Sequence, residues 1–426
     1  MTTASHSPIA HRVGQWLPSD QHVMDTWLST LVSEVDADTL KGSPRPLHPV
    51  IEDFKALIER DAQIYMLFHQ MFAQVPHKPP YNRDPTGKPQ VRDYHVMLKL
   101  FNAIMTRAPE FNKTGLVGFP INAILDWPMG TGSGVSAFLN EKVNAAFRAM
   151  LNEWARFLAS PDSTYVLNTD PVSGWFGRDA KTAMPHFATN FVCDPAAPHY
   201  GFTSWDDFFT RRFRPGVRPI DAPEDDAVIV NACESAPYRL AHSVQLRDRF
   251  WIKAQPYSLD HMLAQDAYVG QFVGGTVYQA FLDALSYHRW HSPVSGRVVK
   301  THLQPGTYYA EALAEGFDPV GPNSSQAYIT ELATRAMIYI QADNPAIGMM
   351  CFMAVGMAEV STCELGVYAG QYVKKGDPLG MFHFGGSTHC LIFRPGVKLT
   401  FDLHGQTPGL NSKNIPVNAR IASVIA

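Results

Sequence analysis

After Asp225 the sequence stops reading like helix and starts reading like sheet, and this change of texture constrains the fold most. From about residue 20 to residue 160 apolar residues recur at three- and four-residue steps. The clearest stripe is Val143, Phe147, Met150, Leu151, Trp154, Phe157 and Leu158, which predicts the buried face of a helix. Beyond Asp225 come short β-rich runs broken by Gly and Pro: Val228–Val230, Arg297–Lys300, Met337–Ile340, Leu391–Phe393 and Val397–Phe401. The fold class expected is α+β: a helical N-terminal region, 1–200, packed on a β-rich region, 201–426. At 426 residues the chain is long enough for two such regions.

Three punctuated segments join these parts. Pro76 to Lys88 (PHKPPYNRDPTGK) predicts an exposed loop, because proline blocks helix continuation and Asp-Pro and Thr-Gly favour turns. Gly130 to Gly134 (GTGSG) has the composition of a phosphate cradle. It follows no buried strand and lacks the P-loop lysine, so a helix-to-helix connector is expected. Phe202 to Ile220 predicts a helix capped by Ser204, acidic in its first turn, basic in its last and stopped by Pro215-Gly216.

Charge and cysteine usage exclude several classes of function. With 35 basic and 39 acidic side chains the net charge is −4, which gives no electrostatic case for nucleic acid or an anionic membrane. The five cysteines are scattered and form no C-x-x-C pair, so neither a disulfide framework nor a zinc site is expected. Met1 to Asp20 lacks an apolar stretch of signal-peptide length, and the longest apolar run, Ile347 to Met357, suits a buried strand rather than a membrane span. These features predict a cytoplasmic protein without a stable membrane anchor, acting on a small molecule.

Two segments carry chemistry. In Lys375 to Thr388 (KGDPLGMFHFGGST), Gly385-Gly386 is backbone free to take strained angles, with the Ser387 hydroxyl beside a poorly shielded carbonyl. A serine so placed can attack the preceding peptide bond, although Gly-Gly-Ser by itself is also a common turn. In Ser286 to Gly296 (SYHRWHSPVSG), His288 and His291 would share a face on a helix and point to opposite sides on a strand. No further His, Cys or Glu has ligand spacing, so no metal is expected.

Phe382–Thr388 (FHFGGST) and Tyr287–Pro293 (YHRWHSP), with Trp205–Ile220 and Lys253–Leu259 (KAQPYSL), resemble the phosphatidylserine decarboxylases, with four separated motifs in the family's order. Over most of the chain the resemblance is closest to a subgroup, the soluble fungal L-tryptophan decarboxylases. It implies a zymogen that cleaves itself between Gly386 and Ser387. Ser387 Oγ adds to the Gly386 carbonyl, the amide becomes an ester, and elimination followed by loss of ammonia leaves a pyruvoyl group as covalent cofactor. His291 holds the family's position for the base and Glu234, in Ala232–Ser235, the position of an orienting carboxylate that is aspartate in the family. The resemblance also gives His288 a part in turnover, and Ser286 stands where the family commonly has aspartate. Thr388, Tyr257 and Trp290 are candidate oxyanion or substrate contacts. The implied activity is decarboxylation of a free aromatic amino acid, L-tryptophan to tryptamine, with the cleaved C-terminal chain retained. Phosphatidylserine decarboxylation, a serine hydrolase built on Ser387, and a non-catalytic binding protein are the rival readings.

Overall fold

The computed structural model describes residues 21–40, 46–75, 91–111, 120–248, 257–283, 285–311, 325–359, 362–384 and 387–425. The expected loop at 76–88 lies outside them, as do the first twenty residues. The helices are α1 Gln21–Leu40, α2 Pro49–Arg60, α3 Ala62–Ala73, α4 Tyr94–Ile104, α5 Pro120–Met129, α6 Gly132–Leu139, α7 Glu141–Leu158, α8 Arg178–Ala183, α9 Phe187–Asn190, α10 Trp205–Phe209, α11 Leu259–Met262 and α12 Gln326–Leu332.

α7 forms where the stripe predicts it. Asn140 caps it, Oδ1 accepting from the Lys142 and Val143 amides, and Glu141 and Arg156 complement its dipole. The stripe is buried apart from the half-buried Phe157. GTGSG is the α5–α6 connector: Thr131 Oγ1 accepts from the Gly134 amide at 3.0 Å. A Cβ at Gly134 would lie 1.8 Å from the Pro128 carbonyl oxygen, so only glycine permits this approach.

The helix expected over 202–220 is five residues long. Ser204 does cap it, accepting from the Asp207 amide at 3.0 Å, and Asp206 and Asp207 occupy the first turn. It ends at Thr210 because tertiary contacts claim the next residues. The Arg211 guanidinium is buried over the rings of Phe187, Phe191 and Phe208 and donates to the Leu285 and Ser286 carbonyls. Phe213 forms a β-bridge with Phe191.

The strands are β1 Val228–Val230, β2 Ala236–Ala241, β3 Thr276–Leu282, β4 Arg289–His291, β5 Gly296–Gln304, β6 Arg335–Ala342, β7 Met349–Gly356, β8 Thr362–Leu365, β9 Tyr372–Val373, β10 Pro378–His383, β11 Ser387–Phe393, β12 Leu399–Phe401 and β13 Arg420–Val424. An antiparallel seven-stranded sheet runs β2-β3-β11-β7-β6-β5-β9, and two smaller sheets run β4-β10-β8 and β1-β13-β12. One face of the large sheet (Val277, Met337, Met353, Val355, Ile392) shares a core with the helices, and the other (Tyr278, Ile338, Phe352, Leu391) packs on the small sheets through Trp290, Phe382 and Ile421. With both faces covered, β7 and β11 are buried along their whole length, which is why Ile347 to Met357 reads as a continuous apolar run instead of alternating. The architecture is α+β, as expected.

Phe147 of α7 joins the halves, its ring 4.9 Å from Phe54 and 4.8 Å from Tyr309. Phe147→Ala is expected to cost about 3–5 kcal/mol, as for large buried aromatics, seen as a lower midpoint in denaturant melts.

Candidate active site

β11 sets the site. Ser387 begins it, paired with Leu282 of β3 and Gly356 of β7, and the strand's period of two puts Ser387 and His389 on the small-sheet side and Thr388 on the helical side. The Ser387 hydroxyl is fully buried and has no hydrogen-bond partner among the described residues. Buried hydroxyls are normally satisfied, so an orphan at the head of a central strand calls for an explanation. Gly385 and Gly386 lie outside the described residues.

On the opposite face Thr388 is fixed. Its Oγ1 donates to the Ala280 carbonyl at 2.9 Å and accepts from Gln279 Nε2 at 3.0 Å, and the Tyr257 hydroxyl donates to Gln279 Oε1 at 2.5 Å. Trp290 is buried between Phe352 and Phe382.

The two histidines flank and end β4 and point different ways, as a strand dictates. His288 stacks on Phe209 of α10 at 4.2 Å. His291 Nδ1 lies 2.8 Å from the Gly376 carbonyl oxygen and Nε2 2.9 Å from the Tyr287 hydroxyl. A carbonyl only accepts, so the proton sits on Nδ1 and the Nε2 lone pair takes the tyrosine O–H. Burial pushes the His291 pKa below the ordinary value, partly offset by the Gly376 carbonyl.

The His291 amide donates to the Ala232 carbonyl at 2.8 Å, which brings β4 beside the segment carrying Glu234. The Glu234 carboxylate is turned elsewhere. Arg218 grips it through two bonds of 2.9 and 2.6 Å, and it accepts the Val417 amide at 2.9 Å. The group orienting the His291 ring is thus a backbone carbonyl. At Ser286 a carboxylate arrives from nearby, because Ser286 Oγ donates to Asp283 Oδ1 at 3.0 Å and accepts from Asn414 Nδ2 at 2.7 Å. Burial raises the Asp283 pKa against the pull of those hydrogen bonds.

Sequence models described as phosphatidylserine decarboxylase match residues 48–184 and 205–408. An L-tryptophan decarboxylase of Psilocybe cyanescens is 37% identical over 100% of this chain and 97% of its own length. The chain belongs to the phosphatidylserine decarboxylase family. An L-tryptophan decarboxylase of Psilocybe cubensis is 36% identical over 91% of this chain and 90% of its own, and decarboxylase iboD of Amanita muscaria is 44% identical over 67% and 86%. As a member of this family the chain is a carboxy-lyase, and the family is pyruvoyl-dependent in general.

Membership directs attention to three groups that motif reading passed over: Tyr287, inside the YHRWH motif; Asp283, whose Asx-turn spacing to Ser286 was a usable signal; and His389. The His389 ring is fully buried between Tyr278 and Phe352, both nitrogens lack partners among the described residues, and burial pushes its pKa down to about 3. Just before Gly385-Gly386, His383 bridges Asp206 at 3.0 Å and Glu364 at 2.8 Å. Burial pulls its pKa down, but these two carboxylates prevail and raise it to about 9.

These shifts act oppositely on stability. Below about 6.5 the unfolded chain protonates histidines that the fold keeps neutral (His291, His389), so their contribution is lost as pH falls. His383 is charged in the fold up to about 9, so its contribution is full below about 6.5 and is lost as pH rises through 9. Thermal melts from pH 5 to 10 should therefore peak between those limits, with His389→Leu flattening the acid limb and His383→Gln the alkaline one. Unchanged limbs in both variants would contradict these environments.

Proposed function

We propose that this chain is a self-maturing, pyruvoyl-dependent decarboxylase of a free aromatic amino acid, converting L-tryptophan to tryptamine, cut between Gly386 and Ser387. The observation that carries the reading is the buried, unpartnered Ser387 hydroxyl at the head of β11. The two relatives named L-tryptophan decarboxylase, alignable over 100% and 91% of the chain, favour the amino-acid substrate over the phospholipid. Among the described residues no helix is long and apolar enough to cross a membrane, which accords with a cytoplasmic enzyme taking its substrate from water.

The residues suit the cofactor. Ser387 would carry it, flanked by Leu282 and Gly356, and its Oγ, without a partner among the described residues, is the atom consumed in forming it. When present, the pyruvoyl carbonyl supplies the electron sink for loss of the substrate carboxylate. The chain's own part begins with Ser387 Oγ attacking the Gly386 carbonyl. Neutral His291, with Nδ1–H held by Gly376, would take the proton at Nε2 by way of Tyr287, whose hydroxyl gives its own proton to that lone pair as it receives the serine's. His288, packed on Phe209, serves proton delivery in turnover, and Thr388, anchored by Gln279, holds the first turn of the strand. Glu234 holds the Ala232–Ser235 segment to Arg218 and Val417 and so positions the backbone that receives the His291 amide.

The reading divides the chain into a helical region, 1–200, and a catalytic region, 201–426, with the fragment from Ser387 onward kept in place. β11 lies between β3 and β7, and β13 pairs with β1, so leaving would strand backbone donors and acceptors in both fragments. A serine hydrolase would stay a single chain, and Gly-Gly-Ser-Thr-His lacks the second glycine of a nucleophile elbow.

Intact mass under denaturing conditions tests the proposal. Two fragments divided at Gly386-Ser387, the smaller blocked by a pyruvoyl group and co-eluting with the larger in native buffer, are expected. Ser387→Ala and His291→Ala should remain single chains of 47.3 kDa without activity, whereas His288→Ala should cleave in part and turn over poorly. A fully cleaved, fully active His291→Ala protein would refute the base assignment.

A further inference from the structure

A cavity of about 290 Å³ opens between α7 and the cleavage segment, at the lower end of the range for small-molecule pockets. Leu151, Trp154, Ala155, Leu158 and Phe384 give it apolar and aromatic walls, and Glu359 borders it. Asp206, Thr362 and His383 also line it, and two of the walls outside α7 adjoin the end of the large sheet where Ser387 lies. Phe384 directly precedes Gly385-Gly386, and Glu359 lies three residues beyond Gly356, the β7 partner of Ser387.

Glu359 is built in a specific way. It is 5% exposed, and its Oε1 accepts both the Ile121 and Asn122 amides, at 2.8 and 2.9 Å, at the start of α5. Its Oε2 has no partner among the described residues. A backbone strand of 308–311 runs alongside, the Ala358 amide donating to the Tyr308 carbonyl at 3.1 Å. The neighbouring Tyr309 hydroxyl and Asn122 carboxamide are also buried without partners among the described residues. Native structures leave few buried polar atoms unsatisfied, and the Glu359 oxygen, on a residue that borders an aromatic-walled cavity, calls for a ligand that brings its own hydrogen-bonding edge.

We infer that this cavity receives the side chain of the substrate amino acid and that Glu359 Oε2 accepts a ring N–H from it, which makes Glu359 a specificity-determining residue. The inference rests on the decarboxylase reading and deepens it. Trp154 and Phe384, themselves in edge-to-face contact at 4.6 Å, supply faces and edges to a flat ring. With Oε1 already holding two backbone donors, Oε2 is the oxygen left for the ligand; burial pushes the carboxyl up to about 8, so Oε2 accepts the ring N–H in the ionised form, at and above that pH. An aromatic side chain without an N–H would fill the same walls and leave Oε2 unsatisfied, the situation in which a polar site discriminates most strongly.

The test uses indole and its isostere benzothiophene, which lacks the N–H, in calorimetric titrations of the purified full-length protein, and the kcat/KM ratio for tryptophan over phenylalanine. Glu359→Gln keeps an oxygen for the α5 amides and presents an NH₂ where the ligand's donor would point, and Glu359→Leu removes both. Wild type should prefer indole by about tenfold or more. Both variants should lose that preference, and the tryptophan-to-phenylalanine ratio should fall in step. Glu359→Gln should keep its melting temperature and the intact-mass pattern of wild type. Equal preference in wild type and Glu359→Gln, or no indole binding by wild type, overturns the assignment. Wild type that binds indole through Glu359 and decarboxylates no amino acid refutes the proposed activity alone. Wild type that decarboxylates tryptophan while Glu359→Gln keeps its selectivity refutes the pocket alone.

Discussion

β11 is paired along both edges, by β3 and β7, and covered on both faces, by helices on one side and small sheets on the other. Everything else in the molecule is arranged around that strand. Its first residue is Ser387, so the group with the most chemistry in the sequence is held by a ladder that fixes its backbone from two directions. A nucleophile on a loop would be placed less well, and catalysis tolerates little misplacement. The same ladder makes the C-terminal segment part of the core, so the bond proposed for cleavage lies just outside a unit that needs both of its sides.

Around this strand the protein sorts its charges by location. Two buried histidines are kept neutral: His291 by burial with a carbonyl fixing its tautomer, and His389 by an apolar sleeve of Tyr278 and Phe352. A little farther out, carboxylates are matched with cations, Glu234 with Arg218 and Asp206 and Glu364 with His383. Burying a charge unpaired is expensive, so the interior holds neutral bases and the rim holds ion pairs. The interior thus keeps proton acceptors in the dry zone, and the rim pairs tie α10, β8 and β10 together.

The parts of this arrangement legible in the sequence are those governed by local periodicity and composition. The α7 stripe, the buried run of β7, the GTGSG connector and the β-rich second half follow from patterns of 3.6 and 2 residues and from Gly and Pro punctuation. The Trp205–Ile220 segment shows where this fails. Its cap and first turn formed as the residues dictate, but its length was set by Arg211 finding three aromatic rings and two carbonyls elsewhere in the chain. Tyr287, His389 and Glu359 went unnoticed for a related reason. A tyrosine in a motif, a histidine in a strand and a glutamate before a turn have no distinguishing local pattern.

By itself the sequence determined the fold class, the motifs that place the chain in its family, and Ser387 as the residue proposed to react, because those reside in neighbouring residues and their spacing. Only the tertiary structure decided that Ser387 heads a central strand, that a backbone carbonyl rather than Glu234 orients His291, and that Glu359 turns one oxygen to α5 and leaves the other unpaired beside a cavity. Those outcomes depend on which groups lose water together. That is settled by packing between segments more than two hundred residues apart, such as Glu359 and Ile121.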